Sequence, residues 1–169
     1  MPSDAPVDLL GSIAVLVRHD VQFVLIGGVA GNIHGSPIPT RDVDVTPDAS
    51  AENLERAAAA LRDLDARLRV DDESRGVPFD VSGASLRKAP VWTLRTDLGD
   101  LDLVIEPAGT HGYADLKRDA SEFDLGDGIR VQVASVADLI RMKEASGRAK
   151  DQSGLPALRA VLARTERER

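Results

Sequence analysis

The chain has no cysteine at any of its 169 positions. That excludes disulfides, thiolate nucleophiles and cysteine-based zinc sites, and it fits a reducing cytosol. Aromatic residues make up only 3% of the sequence, so a core drawn from its 43% hydrophobic content must be built of Ala, Val and Leu. No apolar run approaches the length of a membrane span, so no membrane contact is expected. The first ten residues, MPSDAPVDLL, show no basic region ahead of an apolar stretch, and a cytoplasmic location is the expectation. The three histidines, His19, His34 and His111, have no metal-ligand spacing. There is no Gly-Lys-Ser/Thr phosphate loop, no dinucleotide fingerprint and no serine-hydrolase elbow. The formal net charge of −7 argues against a generic nucleic-acid coat protein, which would be basic.

Against these absences stands one concentrated feature, Asp42-Val43-Asp44. It follows by fourteen residues the pair Gly27-Gly28, which closes the apolar run Phe23-Val24-Leu25-Ile26. Side chains alternate along a strand, so Asp42 and Asp44 share a face, roughly 6.6 Å apart along it. Val43 and Val45 then point into a core. Two carboxylates held side by side repel unless a cation lies between them, and a hard ion such as Mg²⁺ prefers oxygen ligands of this kind. The glycine turn upstream suits a phosphate, because it admits an anion close to free backbone N–H groups. Asp100-Leu101-Asp102-Leu103 repeats the alternation and places two further acids on one face. Asp is depleted in strands, which makes two such segments in a short chain unusual.

Periodicity supplies the frame. Helical spacing marks Val7–Asp20. A buried strand is expected at Phe23–Ile26, a short helix at Val29–His34 and a second strand at Asp42–Thr46, ended by Pro47. Ser50 can cap a long helix from Ala51 to about Leu68. Asp71–Gly83, with Gly76 and Pro78, reads as a mobile loop. Val91–Thr96 and Leu101–Ile105 read as an antiparallel hairpin. A short helix at Tyr113–Ala120 and a strand at Ile129–Val133 follow. Helices at Val136–Ala145, broken by Gly147, and at about Gln152–Thr165 close the chain. The fold class expected is α+β (mixed α/β), a small mixed sheet flanked by helices. We read one domain over 1–169, with a core at about 20–134 and C-terminal helices at about 135–165.

The segment VLIGGVAGNIHGSPIPTRDVDV, Val24–Val45, resembles the nucleotidyltransferases of the DNA polymerase β superfamily. It is most similar to the abortive-infection (AbiEii) type toxin nucleotidyltransferases and small proteins related to them. Gly27, Gly28, Ala30, Gly35, Thr40, Asp42 and Asp44 match, whereas Ile38 stands where that family usually carries Arg. Leu139–Glu144 and Gly147–Asp151 resemble the family's helical lysine segment and its Arg-x-Lys-Asp.

The resemblance implies a polymerase β-like nucleotidyltransferase fold and transfer of a nucleoside monophosphate from an NTP, ATP included, to a hydroxyl, with release of pyrophosphate. Asp42, Asp44 and Asp102 would be the metal ligands, holding two Mg²⁺ or Mn²⁺ about 3.5–4 Å apart, and Asp102 rather than Asp100 would be the third acid. Lys143 would join them in the catalytic set and contact the nucleotide, with Asp151 orienting it. Gly27, Gly28, Ser36 and Arg41 would be the remaining nucleotide-binding residues. The acceptor implied is RNA such as tRNA, or a protein, in a toxin–antitoxin setting with a cognate antitoxin as partner. A small-molecule acceptor, as in the lincosamide or aminoglycoside nucleotidyltransferases, and a non-catalytic nucleotide-binding module are the alternatives. Arg148 and Lys150 are further candidates for holding RNA or triphosphate.

Overall fold

The structure is a computed structural model, and it describes residues 7–169. Among these residues seven helices and eight strands alternate along the chain. They are α1 (Leu9–Arg18), β1 (Phe23–Ile26), α2 (Gly27–Ile33), β2 (Asp42–Pro47), α3 (Ala51–Asp63), β3 (Arg67–Val70), β4 (Glu73–Val77) and α4 (Gly83–Leu86). Then come β5 (Val91–Thr96), β6 (Gly99–Val104), α5 (Tyr113–Asp119), β7 (Ser121–Asp124), β8 (Arg130–Val133), α6 (Val136–Ser146) and α7 (Ala149–Arg167). The strands form one mixed sheet in the order β4-β3-β5-β6-β2-β1-β8-β7. β2 runs parallel to β6 and β1 parallel to β8, and the other neighbours are antiparallel. The expected mixed α+β class is therefore the observed one.

Alternation decides which side of the sheet is which. Val43, Val45, Leu94, Leu101 and Leu103 are fully buried, and they form a continuous core with Leu54, Leu61 and Leu86 of α3 and α4. Removing leucine side chains of this size from water stabilises by about 1.5–3 kcal/mol each. The residues between them in β2 and β6, Asp42, Asp44, Asp100 and Asp102, must then lie on the opposite face, where they are only partly buried. All four positions of β1 are buried, so this strand is covered on both sides.

Four segments depart from expectation. The helix starting at Ala51 ends at Asp63, not near Leu68, and Arg67–Val70 is a strand. Helix propensity alone would carry the helix through this Arg/Leu-rich stretch. It stops because Asp65 adopts a left-handed φ of 50°, with Ala66 N–H donating to the Leu61 carbonyl and Asp65 N–H to that of Arg62. This is the six-to-one and five-to-two closure that glycine usually makes. The segment expected to be a mobile loop, Asp71–Gly83, contains β4, which pairs with β3 through an irregular register. Edge strand β7 was not expected, since its SEFD sequence offers only the half-buried Phe123 to the core. At the end of the chain α7 begins three residues ahead of the expected start and runs through Pro156.

Candidate active site

The parallel register of β2 on β6 sets Asp42 opposite Asp100 and Asp44 opposite Asp102. One carboxylate oxygen from each of Asp42, Asp44 and Asp102 lies within 4.8 Å of the other two. Thr40 Oγ1 donates to Asp42 Oδ1 at 3.1 Å, which braces the first acid. Burial pushes the Asp44 carboxyl up to about 8, with the neighbouring Asp42 and Asp102 charges adding to the rise and Lys150 opposing it. Burial also raises Asp102 above the usual carboxylate range, although the Arg69 guanidinium beside it pulls the other way. The cluster therefore carries more negative charge than its surroundings stabilise, and a divalent cation between three such oxygens would relieve it. The donor set, all carboxylate oxygen on two strands locked by their ladder, fits Mg²⁺ or Mn²⁺.

Asp100 does not join the cluster. Its Oδ2 pairs with Arg69 Nη1 at 3.1 Å and its Oδ1 with Arg95 Nε at 3.1 Å. Arg69 also donates from Nη2 to Asp102 Oδ1 at 3.3 Å. Only that oxygen of Asp102 meets a guanidinium among the described residues.

Gly27 begins α2 directly after β1, with a φ of +70° that side chains rarely adopt. A Cβ there would collide with Asp44 Oδ2. Glycine at 27 is thus what lets the Asp44 carboxylate lie against the turn. At Gly28 a Cβ would stand 2.7 Å from the Thr40 side chain. The loop after α2 is held by Asn32, whose Nδ2 donates to the carbonyls of Ser36 (3.0 Å) and Ile38 (2.7 Å). Ser36 is half-buried in this loop, while Arg41 is exposed just ahead of β2 and forms no ion pair among the described residues. His34 is satisfied structurally, donating from Nε2 to the Ala134 carbonyl at 2.8 Å.

Lys143 and Asp151 do meet: Lys143 Nζ lies 3.6 Å from Asp151 Oδ1 across the α6–α7 junction. Burial pushes Asp151 up, but hydrogen bonds from Ser146 (2.5 Å) and Arg148 (3.0 Å) and the Lys143 and Arg148 charges hold it below the usual range. No hydrogen bond or ion pair among the described residues joins Lys143 to the three aspartates. The lysine whose charge reaches Asp44 is Lys150, exposed in the first turn of α7. Sequence reasoning ranked Lys143 above it and missed Arg69 and the brace from Thr40. The alternation Arg67-Leu68-Arg69-Val70 could have pointed to Arg69 had it been read as a strand.

Comparison with solved structures bears on the fold. The lincosamide antibiotic adenylyltransferase LnuA, in its lincomycin-bound form, superposes with a TM-score of 0.60 at 14% identity, over 90% of this chain and 94% of that one. A Thermotoga maritima protein, TM1012, described as a nucleotidyltransferase, gives 0.53 at 14% identity, over 95% and 91%. The antibiotic-resistance factor ANT(2'')-Ia gives 0.55 at 15% identity, over 90% and 82%. The fold is that of the nucleotidyltransferases. No family model and no curated protein matches this chain. Within the nucleotidyltransferase fold observed here, the acid cluster occupies the face of β2 and β6 opposite the Val and Leu core, beside the Gly27 turn.

Proposed function

We propose that this chain, acting as one catalytic unit, is a divalent-metal-dependent nucleotidyltransferase that moves a nucleoside monophosphate from an NTP to a hydroxyl and releases pyrophosphate. The observation that carries this reading is the convergence of Asp42, Asp44 and Asp102 within 4.8 Å on two paired strands. Asp42 and Asp44 would hold Mg²⁺ or Mn²⁺ against the triphosphate, and Asp102 would complete the set. The bound ions supply charge neutralisation at the phosphates and a lowered pKa for the attacking hydroxyl.

The chain's own groups do the remaining work. Gly27 and Gly28 leave the backbone open to a phosphate at the end of β1. Lys150 adds positive charge that reaches Asp44, and Lys143, paired with Asp151, would be a second phosphate partner. Ser36 and Arg41, on the loop leading into β2, would meet the rest of the nucleotide. Asp102 lies on the side away from the glycine turn, where it can orient the acceptor hydroxyl and take its proton. In-line displacement needs the attacking oxygen and the leaving pyrophosphate on opposite sides of phosphorus, and this layout provides both sides.

RNA such as tRNA, or a protein, is one class of acceptor, with a toxin's role and an antitoxin partner as its setting. A small molecule is the second reading. It is favoured by the match in size with LnuA, of which this chain covers 94%. Incubation with Mg²⁺ and ATP labelled at the α-phosphate, presented with total tRNA and separately with lincomycin and kanamycin, tests both. Label should appear on one acceptor and should fall at least a thousandfold with Asp42→Ala, given the weight of charge stabilisation in such sites. Transfer by the Asp42→Ala protein at the rate of the unaltered chain would refute the assignment.

A further inference from the structure

The face of the sheet that carries the aspartates continues beyond them onto β5 and β3, and there its charge changes sign. The register places Arg67 opposite Arg95, Arg95 opposite Asp100 and Asp100 opposite Asp42. Paired residues point to the same side, so these four side chains form one row across the face, with neighbours about 5 Å apart. In the next row Asp44 stands opposite Asp102 and Asp102 opposite the exposed Thr93. Arg69, two residues after Arg67, reaches over to Asp102 and Asp100.

We infer that the acceptor of this enzyme carries an anionic group, most simply a phosphate, beside its reactive hydroxyl, and that Arg69 and Arg95 recognise it. The inference rests on the transferase reading above and adds the class of its second substrate. With the triphosphate at the Gly27 side, the attacking hydroxyl must come from the β6 side. It crosses a floor made by Thr93, Arg69, Arg95 and Arg67.

Asp100 clamps two of these arginines. Arg69 uses Nη1 and Nη2 on the two aspartates, and Arg95 uses Nε on Asp100 and Nη1 on the Ser74 carbonyl at 2.6 Å. A guanidinium has five N–H donors, so each retains donors after these contacts. Both side chains are about a quarter exposed, 27% and 24%, so neither guanidinium is sealed in the core. A fork fixed in this way loses little freedom on binding a planar or tetrahedral anion. When Asp102 is engaged with a cation, its pull on Arg69 weakens and the guanidinium gains capacity for an outside anion. A polycationic drug would meet like charge on the same floor. The acids Asp71, Asp72 and Glu73 sit at the tip of the β3–β4 hairpin, beyond Val70 and outside these two rows.

The test is isothermal titration of the full chain in Mg²⁺ and a non-hydrolysable ATP analogue, with four probes. A short ribo-oligonucleotide with a free 3′-hydroxyl and ribose 5-phosphate carry the shared chemistry and distinguish its polymeric from its small-molecule source. Kanamycin and lincomycin carry none of it. At least one phosphate-bearing probe should bind more tightly than either antibiotic. Its dissociation constant should rise about tenfold with Arg69→Gln or Arg95→Gln, one charge-assisted contact being worth about that factor. Arg69→Lys should recover part of the loss, and Arg95→Gln, whose side chain contacts Asp100 and Ser74 but none of the three clustered acids, should leave affinity for the ATP analogue unaltered. Tighter binding of either antibiotic, no binding of either phosphate probe, or phosphate binding untouched by both glutamine variants overturns the inference. Normal ATP-analogue binding in those cases leaves the transferase reading standing. Failure of the unaltered chain to bind Mg²⁺ and the analogue sinks both.

Discussion

Asp44 is an acid that the fold holds against two others on a largely dry floor. Its carboxyl rises from 3.8 to about 8 because burial and the Asp42 and Asp102 charges penalise ionisation. The folded protein thus keeps a proton that the unfolded chain gives up near pH 4, and stability falls as pH climbs between those values. Metal-free protein should lose thermal stability from pH 5 to pH 8, and Asp44→Asn, which has no charge to bury, should flatten that slope. Mg²⁺ must displace the proton, so its stabilising effect should grow toward pH 8 and be absent in Asp44→Asn. Scanning calorimetry across this range checks both, and a metal-free midpoint that rises with pH would contradict the account. Gly27 makes a companion case. Gly27→Ala places a methyl where Asp44 Oδ2 lies, at a φ of +70°. It should weaken Mn²⁺ binding by tenfold or more while far-ultraviolet circular dichroism stays native. Unchanged Mn²⁺ affinity would remove Gly27 from the site.

At the level of elements, the strands that carry the acids were legible because alternation and burial agree there: Val43, Val45, Leu101 and Leu103 are core, and the aspartates between them are not. What was not legible is where α3 stops, since no glycine marks it. Asp65 performs the closure, just as Asp20 does after α1, with a φ of 56° and with Val21 N–H donating to the Leu16 carbonyl. The end of α1 is legible all the same, because the apolar run Phe23–Ile26 follows it at once, whereas the end of α3 looks like continuing helix to a propensity argument. A consequence is testable. Glycine tolerates φ of 50° better than aspartate, and the Asp65–Arg67 ion pair, at 3.7 Å and exposed, is worth little. Asp65→Gly should therefore stabilise by about 0.5–1 kcal/mol, raising the melting midpoint by roughly 1–4 °C. A lower midpoint would show that the aspartate side chain contributes more than its backbone strain costs. Missing that end hid β3, and with it Arg69, which belongs to the same face as the acids. β4 was obscured in the same way, since Glu73, Ser74 and Arg75 are all exposed and give no apolar rhythm.

Across the whole molecule, the parts of the site come from distant stretches of chain, and only the sheet order brings them together. β2 and β6 are separated by more than fifty residues yet lie side by side and parallel, and β3 completes the face from the far side of β5. The family resemblance could nominate Asp102 over Asp100, but the sequence could not show that Asp100 is claimed by two guanidinium groups. Nor could it show that Lys150, not Lys143, brings its charge to Asp44. The claim underlying all of this is that three carboxylates on one sheet face hold divalent cations together with a nucleotide. Titration of Mn²⁺ into the metal-free chain with ATP present, followed by electron paramagnetic resonance of the free ion, measures that claim most directly. The account predicts Mn²⁺ uptake that ATP strengthens and that Asp42→Asn or Asp102→Asn reduces at least tenfold. Equal uptake by the unaltered chain and both variants would contradict it.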